Sequence, residues 1–168
     1  MLAPKSAPTV SIVMPVRDAA RTVAATIASI RAQTFPDWDL LVVDDGSADD
    51  SRSIAIEAAR ADTRIRALNS PGSGLVATLQ CGPAAARGRF IARMDADDAS
   101  LPERLAVQVG LLEAQPDLGV VGCRVRFGGD AEASRGLLCG EGRLPRATGL
   151  ATPPHRVRKA QRFVSVRR

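Results

Sequence analysis

Hydrophobic and polar positions form two kinds of pattern along the first 130 residues. Short runs rich in Val, Ile and Leu predict strands at residues 9–16, 38–45, 64–68, 89–94 and 118–127. Longer segments between the strands predict helices at residues 19–33, 49–62, 75–86 and 102–115. Strands that alternate with helices are typical of βαβ units. We therefore predict an α/β fold, with a mostly parallel sheet that carries helices on both faces and is incomplete at the C-terminus.

Two of the predicted helices carry local signals of their own. In the first, Val23, Ile27 and Ile30 recur on one face, and Asp18 precedes the segment as a candidate N-cap. In the third, Pro83 interrupts the apolar pattern. Because a proline removes a backbone donor and crowds the preceding turn, we expect it to kink or break that helix.

The positive charge of the chain is concentrated at its C-terminal end. Residues 1–130 hold 14 Lys and Arg against 16 Asp and Glu, whereas residues 131–168 hold 9 against 2. This tail is rich in Gly, Pro and Arg and shows no sustained apolar period, so we predict poor order there. The predicted organisation is an extension at 1–8, a domain at 9–130 and the tail at 131–168. Because the tail lacks interleaved aromatic residues, we expect no nucleic-acid partner.

Several classes of protein are disfavoured by composition. No apolar run approaches the roughly 20 residues of a membrane span, so we expect no transmembrane segment. No hydrophobic signal core occurs at the N-terminus, so we expect the protein in the cytoplasm or at the inner face of the membrane. The three cysteines have no C-x-x-C spacing, which favours isolated thiols over zinc ligands or disulfides.

Carboxylates follow two of the predicted strands at the point where each strand ends. Asp44 and Asp45 end the second strand, and Asp95, Asp97 and Asp98 follow the fourth. In a parallel sheet these ends meet at one edge, where ligands bind. Strand alternation would aim Asp95 and Asp97 the same way, and Mg²⁺ or Mn²⁺ takes one or two carboxylates together with phosphate oxygens and water. Acidic residues that merely solvate a loop are the alternative, but two clusters at one edge favour a site.

The order of three segments indicates a family. They are "VSIVMPVRDAARTVAATIASIRAQTFPDWDLLVVDDGSADDS", "AAARGRFIARMDADDASLPERL" and "VVGCRV". Together they make residues 9–128 resemble the family 2 glycosyltransferases, which have the Rossmann-like GT-A fold. The resemblance implies a nucleoside-diphosphate sugar as donor and Mn²⁺ or Mg²⁺ as cofactor. It also implies transfer of the sugar, with inversion, to a glycan, lipid-linked or protein acceptor.

The same resemblance implies roles for individual residues. Asp45 would accept a hydrogen bond from the nucleotide base. Asp95 would contact the ribose or help to bind the metal, and Asp97 would hold the ion that bridges the diphosphate. Pro15, Val16 and Arg17 would line the nucleoside pocket through the backbone.

No catalytic base is assigned. The resemblance implies a carboxylate base well beyond the metal motif, but the similarity fades after about Gly129. The carboxylates that remain downstream, Asp130, Glu132 and Glu141, match no such context. The change in composition suggests the hypothesis that the chain is a truncated or frameshifted product. Such a product would be inactive, or would bind the donor without turning it over.

A dinucleotide-binding protein is the less favoured alternative. The segment "GSGLVA" at residues 72–77 fits G-x-G-x-x-A, and Asp95 follows roughly 20 residues later. That fingerprint belongs in the first βα turn of a Rossmann unit, however, and here it lies in the third.

Overall fold

The computed structural model describes residues 7–70, 72 and 74–123, together with the backbone of residues 162–165. The helices are α1 (Val23–Arg31), α2 (Ser51–Ala61), α3 (Leu75–Ala85) and α4 (Arg104–Ala114). The strands are β1 (Val10–Val16), β2 (Trp38–Asp44), β3 (Ile65–Asn69), β4 (Phe90–Arg93), β5 (Val120–Gly122) and β6 (Arg162–Ser165). The strands form one sheet in the order β3-β2-β1-β4-β6-β5, and every described pair is parallel. The predicted α/β fold is confirmed.

Helices cover both faces of the sheet, because successive strand residues point to opposite sides. Residues Ile12 and Met14 of β1 belong to the larger core with α1, α2 and α4. Val13, between them, belongs to a second cluster whose flanking residues include Cys81 and Ala85 of α3. The predicted apolar face of α1 is buried in the larger core through Val23, Ile27 and Ile30.

Helix α3 is not broken at Pro83, and the kink expected there stays a prediction. The helix continues through Pro83 and ends at Ala85. Pro83 lacks a backbone N–H and therefore cannot donate a helical hydrogen bond. Because it stands in the last turn, little of the helix lies beyond this missing bond. Next to it, Gly82 lies against β1 so closely that an added Cβ would be 2.2 Å from Cγ1 of Val13.

A strand lies inside the region that we predicted to be poorly ordered. β6 pairs with β4 through Phe90 and Arg162, and with β5 through Val121 and Val164. This strand was not predicted from the sequence. The four-residue segment "RFVS" is too short for a two-residue period to be recognised. Residues 1–6, 124–161 and 166–168, including most of the tail, lie outside the described part of the chain.

The register of the central strands determines what meets at the carboxyl edge. Val16 of β1 pairs with Asp44 of β2, and Val13 of β1 pairs with Arg93 of β4. β1 thus continues past the level at which β4 ends.

Within the described residues, no helix has the length and apolar character that crossing a bilayer requires.

Candidate functional site

Acidic residues from two strands lie at one edge of the sheet, on either side of β1. Asp45 follows β2, whereas Asp95 and Asp97 follow β4. Both strands are parallel neighbours of β1, so their carboxyl ends share an edge. The structure therefore places these predicted residues at the common edge that the sequence indicated.

Asp45 is a buried carboxylate with one unpartnered oxygen. Its N–H donates to the carbonyl of Val16 at 2.9 Å, which extends the pairing of β1 and β2 by one step. Nη1 of Arg17 lies 3.6 Å from its Oδ2. Asp45 is only 4% exposed, and its Oδ1 has no hydrogen-bond partner in the described structure. Because a buried carboxylate oxygen without a donor is unfavourable, this atom is suited to accept a hydrogen bond from a ligand.

Asp44, the neighbouring carboxylate, is engaged within its own loop. Its Oδ1 accepts a hydrogen bond from the hydroxyl of Ser47 at 2.6 Å. Between them Gly46 has a φ of 76°, a left-handed conformation that glycine adopts without strain. Asp44 therefore shapes the turn, and Asp45 is the member of the pair that can serve a ligand.

The loop after β1 is joined to the loop after β2 by hydrogen bonds. The N–H of Asp18 donates to Oγ of Ser47 at 3.1 Å, and Oδ1 of Asp18 accepts from the N–H of Ala48 at 2.8 Å. The N–H of Ala19 donates to Oγ of Ser51 at 2.8 Å. These contacts hold the segment that contains Pro15, Val16 and Arg17 against the loop of Asp45.

The role predicted for Asp18 as the N-cap of α1 is wrong. The N-cap of that helix is Thr22, which makes no side-chain capping bond. Asp18 lies too far upstream to reach the free N–H groups of the first turn, and its carboxylate serves the neighbouring loop. Its φ of 49° is a left-handed conformation that aspartate tolerates better than most residues.

A third acidic residue anchors the start of α2. The N–H of Ala20 donates to Oδ2 of Asp49 at 2.9 Å, and the hydroxyl of Ser51 donates to Oδ1. The Ser51 hydroxyl, followed by the Ala20 N–H, holds the pKa of Asp49 below its ordinary value. Asp49 is thus a charged anchor between the two loops.

The acidic turn after β4 is held by Arg93 and by α1. Nε and Nη2 of Arg93 donate to Oδ1 of Asp95 at 3.1 and 3.0 Å. The hydroxyl of Thr26 on α1 donates to the carbonyl of Ala96 at 2.8 Å. Since β4 ends at Arg93, Asp95 and Asp97 stand in a turn, and the strand alternation used to orient them does not extend that far.

Gln33, just after the C-cap of α1, makes a second set of contacts beyond this turn. Nε2 of Gln33 donates to Oγ of Ser100 at 2.9 Å and to the carbonyl of Leu101 at 2.7 Å. Its Oε1 accepts from the N–H of Leu105 at 3.0 Å. Thr26 and Gln33 were missed in the sequence, although Thr26 is a polar position among the buried residues of α1.

The residues at this edge fit a divalent cation that shares its coordination with a ligand. Both hydrogen bonds that Arg93 donates to Asp95 go to one oxygen, Oδ1, and Asp97 is exposed. No group of three His, Cys, Asp or Glu residues in the described ranges could hold a metal ion. Mg²⁺ and Mn²⁺ take one or two carboxylates and complete their shell with phosphate oxygens and water, which is a demand that Asp95 and Asp97 can meet.

The segment that matched a dinucleotide fingerprint lies between β3 and α3. Gly72 and Gly74 have φ values of 75° and 91°, and Gly74 is the N-cap of α3. The segment is thus in the third βα turn, away from the loop after β1 that a Rossmann fingerprint would occupy.

Two curated relatives share much of the chain. EpsE of Bacillus subtilis, named as a glycosyltransferase, is 40% identical over 119 residues, which cover 70% of this chain and 43% of EpsE. The Escherichia coli protein WfgD is 38% identical over 104 residues, which cover 61% of this chain and 40% of WfgD. Its name describes a UDP-Glc:α-D-GlcNAc-diphosphoundecaprenol β-1,3-glucosyltransferase. The chain spans less than half the length of both relatives.

Solved structures share the fold. The mannosyltransferase PcManGT from Pyrobaculum calidifontis, in complex with GDP-Man and Mn²⁺, superposes with a TM-score of 0.64 at 23% identity, covering 71% of this chain and 36% of that protein. TarS of S. aureus superposes with a TM-score of 0.61 at 21% identity, covering 72% of this chain and 38% of that one. Both likenesses support the GT-A fold.

The family model "Glycosyl transferase family 2" matches residues 11–157. This match continues past Gly129, where the resemblance was expected to fade, so the family signal extends further along the chain than its motifs suggested. The match also favours this family over the dinucleotide-binding alternative. The chain belongs to glycosyltransferase family 2.

Proposed function

We propose that the chain binds a nucleoside-diphosphate sugar at the carboxyl edge of β1, β2 and β4, with Mn²⁺ or Mg²⁺ on Asp97 and Asp95. In this proposal it takes part in transferring the sugar to an acceptor with inversion. The observation that carries the proposal is the buried, unpartnered Oδ1 of Asp45, which shares an edge with the acidic turn after β4.

The nucleoside end of the ligand is assigned to the loops after β1 and β2. Oδ1 of Asp45 would accept an N–H of the base, while its backbone N–H stays bonded to the carbonyl of Val16. The backbone at Pro15, Val16 and Arg17 would line the pocket. Arg17 is exposed and close to Oδ2 of Asp45, so it would flank the ligand and orient that carboxylate.

The diphosphate end is assigned to the acidic turn after β4. Asp97 would hold the cation, with Asp95 as its second carboxylate or as a contact to the ribose. Arg93 fixes Asp95 through Oδ1. A divalent ion bound here would stabilise the negative charge that develops on the leaving nucleoside diphosphate.

Solved relatives support the class of donor without deciding its base or sugar. PcManGT was solved with GDP-Man and Mn²⁺, TarS with UDP-GlcNAc, and the name of WfgD specifies UDP-Glc. We extend to this chain only what they share, a nucleoside-diphosphate sugar. The acceptor is proposed as a glycan, lipid-linked or protein molecule, and the cytoplasm stays the predicted location.

Calorimetric titration with UDP, GDP and dTDP, with and without Mn²⁺, tests the proposal. We expect one of these nucleotides to bind more tightly with Mn²⁺. Asp45→Ala should weaken binding roughly tenfold under both conditions, because it removes a charge-assisted hydrogen bond to the base. Asp117→Ala, at an exposed aspartate near the amino end of β5, is the matched control and should bind like wild type.

Two outcomes separate binding from catalysis. Release of free sugar from a donor, or transfer to an acceptor, would support the transferase. Because no base is assigned, tight Mn²⁺-dependent binding without turnover would instead support a donor-binding function alone. If none of the nucleotides binds, or if Asp45→Ala binds like wild type, the proposed site is wrong.

A further inference from the structure

Arg104 is a buried cation beside the acidic turn. It is the first residue of α4 and is 9% exposed. Its Nη1 donates to the carbonyl of Arg93 at 3.4 Å, whereas Nε and Nη2 have no hydrogen-bond partner within the described residues. Burying a guanidinium with so few partners costs free energy. Packing alone therefore does not account for an arginine at this position.

The neighbours that bear on the pKa of Arg104 are Asp98 of the acidic turn and Cys123, the residue after β5. Burial lowers the pKa of Arg104, while Cys123 and then Asp98 act in the opposite direction. Since the ordinary pKa of arginine is far above neutrality, the side chain stays a cation. It thus places a positive charge close to the last carboxylate of the turn that carries Asp95 and Asp97.

The contact to Arg93 links this cation to the proposed metal site. Arg104 bonds the backbone carbonyl of Arg93, and the side chain of Arg93 bonds Oδ1 of Asp95. A substitution of Arg104 would therefore alter the position of Asp95 through Arg93. It would also remove the electrostatic interaction with Asp98 at the end of the turn.

Gln108 is a second buried polar residue on α4, and it makes no hydrogen bond to Arg93 or to the acidic turn in the described structure. It lies one turn after Arg104 on the same helical face and is 2% exposed. Its Nε2 and Oε1 have no hydrogen-bond partner in the described structure. Gln108 is consequently a matched control, equally buried and polar but with no bond to the acidic turn.

We infer that Arg104 is a positioning residue for the proposed metal site, which holds the turn of Asp95 and Asp97 in the conformation that receives a divalent cation. The inference rests on the proposed function. Substitutions of groups that orient metal ligands typically lower metal affinity by 10- to 100-fold, about the range expected here.

The experiment measures the Mn²⁺ concentration that gives half-maximal enhancement of nucleotide binding. Wild type, Arg104→Gln, Arg104→Lys and Gln108→Met are titrated with the tightest of UDP, GDP and dTDP, well below their melting temperatures. Arg104→Gln should raise the half-saturating Mn²⁺ about tenfold. Arg104→Lys keeps the charge without the planar fork and should show a smaller rise. Gln108→Met should match wild type.

A residue that serves packing alone would lower the melting temperature without moving the Mn²⁺ requirement of the folded protein. The inference is overturned if a folded Arg104 variant has the wild-type Mn²⁺ requirement, and Arg104→Lys provides this test if Arg104→Gln fails to fold. Wild-type protein whose nucleotide binding ignores Mn²⁺ would contradict the proposed function itself, and the inference with it.

Discussion

The hydroxyl of Thr26 donates a hydrogen bond to the carbonyl of Ala96 at 2.8 Å and thereby joins α1 to the acidic turn. Both residues are buried, with exposures of 2% and 8%. Ala96 stands between Asp95 and Asp97, so the bond fixes the backbone that carries both carboxylates. Since α1 also follows the loop of Arg17, one helix supports both halves of the proposed site.

Thr26→Val should lower the free energy of unfolding by about 1–2 kcal/mol, because it leaves a buried carbonyl without its donor. Urea denaturation measures the change. Thr34→Val is the matched control, since Thr34 is exposed and its hydroxyl bonds the carbonyl of Pro102 at 3.2 Å. The control should cost less than about 0.5 kcal/mol. Equal stability of the two variants would show that the bond to Ala96 is dispensable.

The contact of α3 with β1 gives a second prediction. An added Cβ at Gly82 would lie 2.2 Å from Cγ1 of Val13, whereas one at Gly110 would meet nothing within 4 Å. Gly82→Ala should therefore lower the free energy of unfolding by about 1–3 kcal/mol through overpacking. Gly110→Ala, in the exposed middle of α4, should raise it by up to about 1 kcal/mol. Thermal or urea unfolding compares them, and a Gly82→Ala protein as stable as Gly110→Ala would refute the close packing.

The parts of the fold that could be predicted are those whose apolar residues recur at the spacing of a helix or a strand. Val23, Ile27 and Ile30 recur at helical spacing, and the α1 core contact follows from that spacing. For the site, the sequence predicted only that acidic residues lie at the ends of two strands. Asp44 and Asp45 are adjacent and chemically identical in sequence, and they differ because Ser47 bonds one of them while the other lies buried beside β1. The bond of Asp44 is local, whereas the burial of Asp45 beside β1 depends on a segment far away in the chain.

Arg104 illustrates a second limit of the sequence. An arginine in the first turn of a helix ordinarily reaches solvent, so nothing in the pattern predicts a guanidinium that is 9% exposed. Its burial depends on the tertiary arrangement, in which α4 contacts β5 and Arg104 bonds the backbone of Arg93.

The pH dependence of stability should report the pair of Asp62 and Arg64. Nε and Nη2 of Arg64 donate to the two carboxylate oxygens at 3.1 and 2.9 Å, and this interaction is the largest cause that lowers the pKa of Asp62 below 3.8. A carboxylate whose pKa is lowered in the folded state stabilises the protein above its unfolded-state pKa. That contribution is lost as the pH falls through the lower folded-state value.

Wild type should consequently be more stable than Asp62→Asn at pH 7, and the difference should shrink as the pH falls below 3.8. Urea unfolding between neutral and acid pH measures it. In an Arg64→Gln background the difference at pH 7 should be smaller, because the main cause of the pKa shift is absent. A gap between wild type and Asp62→Asn that stays constant with pH would contradict this assignment.

The most direct test of a shared, metal-dependent nucleotide site is the thermal shift of wild type and Asp97→Ala with UDP, GDP or dTDP, each with and without Mn²⁺. Ligand at about 100 times its dissociation constant stabilises a protein by about 2.7 kcal/mol, which such a shift resolves. We predict that Asp97→Ala keeps the shift given by nucleotide alone and loses the increment added by Mn²⁺, while Asp117→Ala keeps both. An undiminished Mn²⁺ increment in Asp97→Ala would contradict the account.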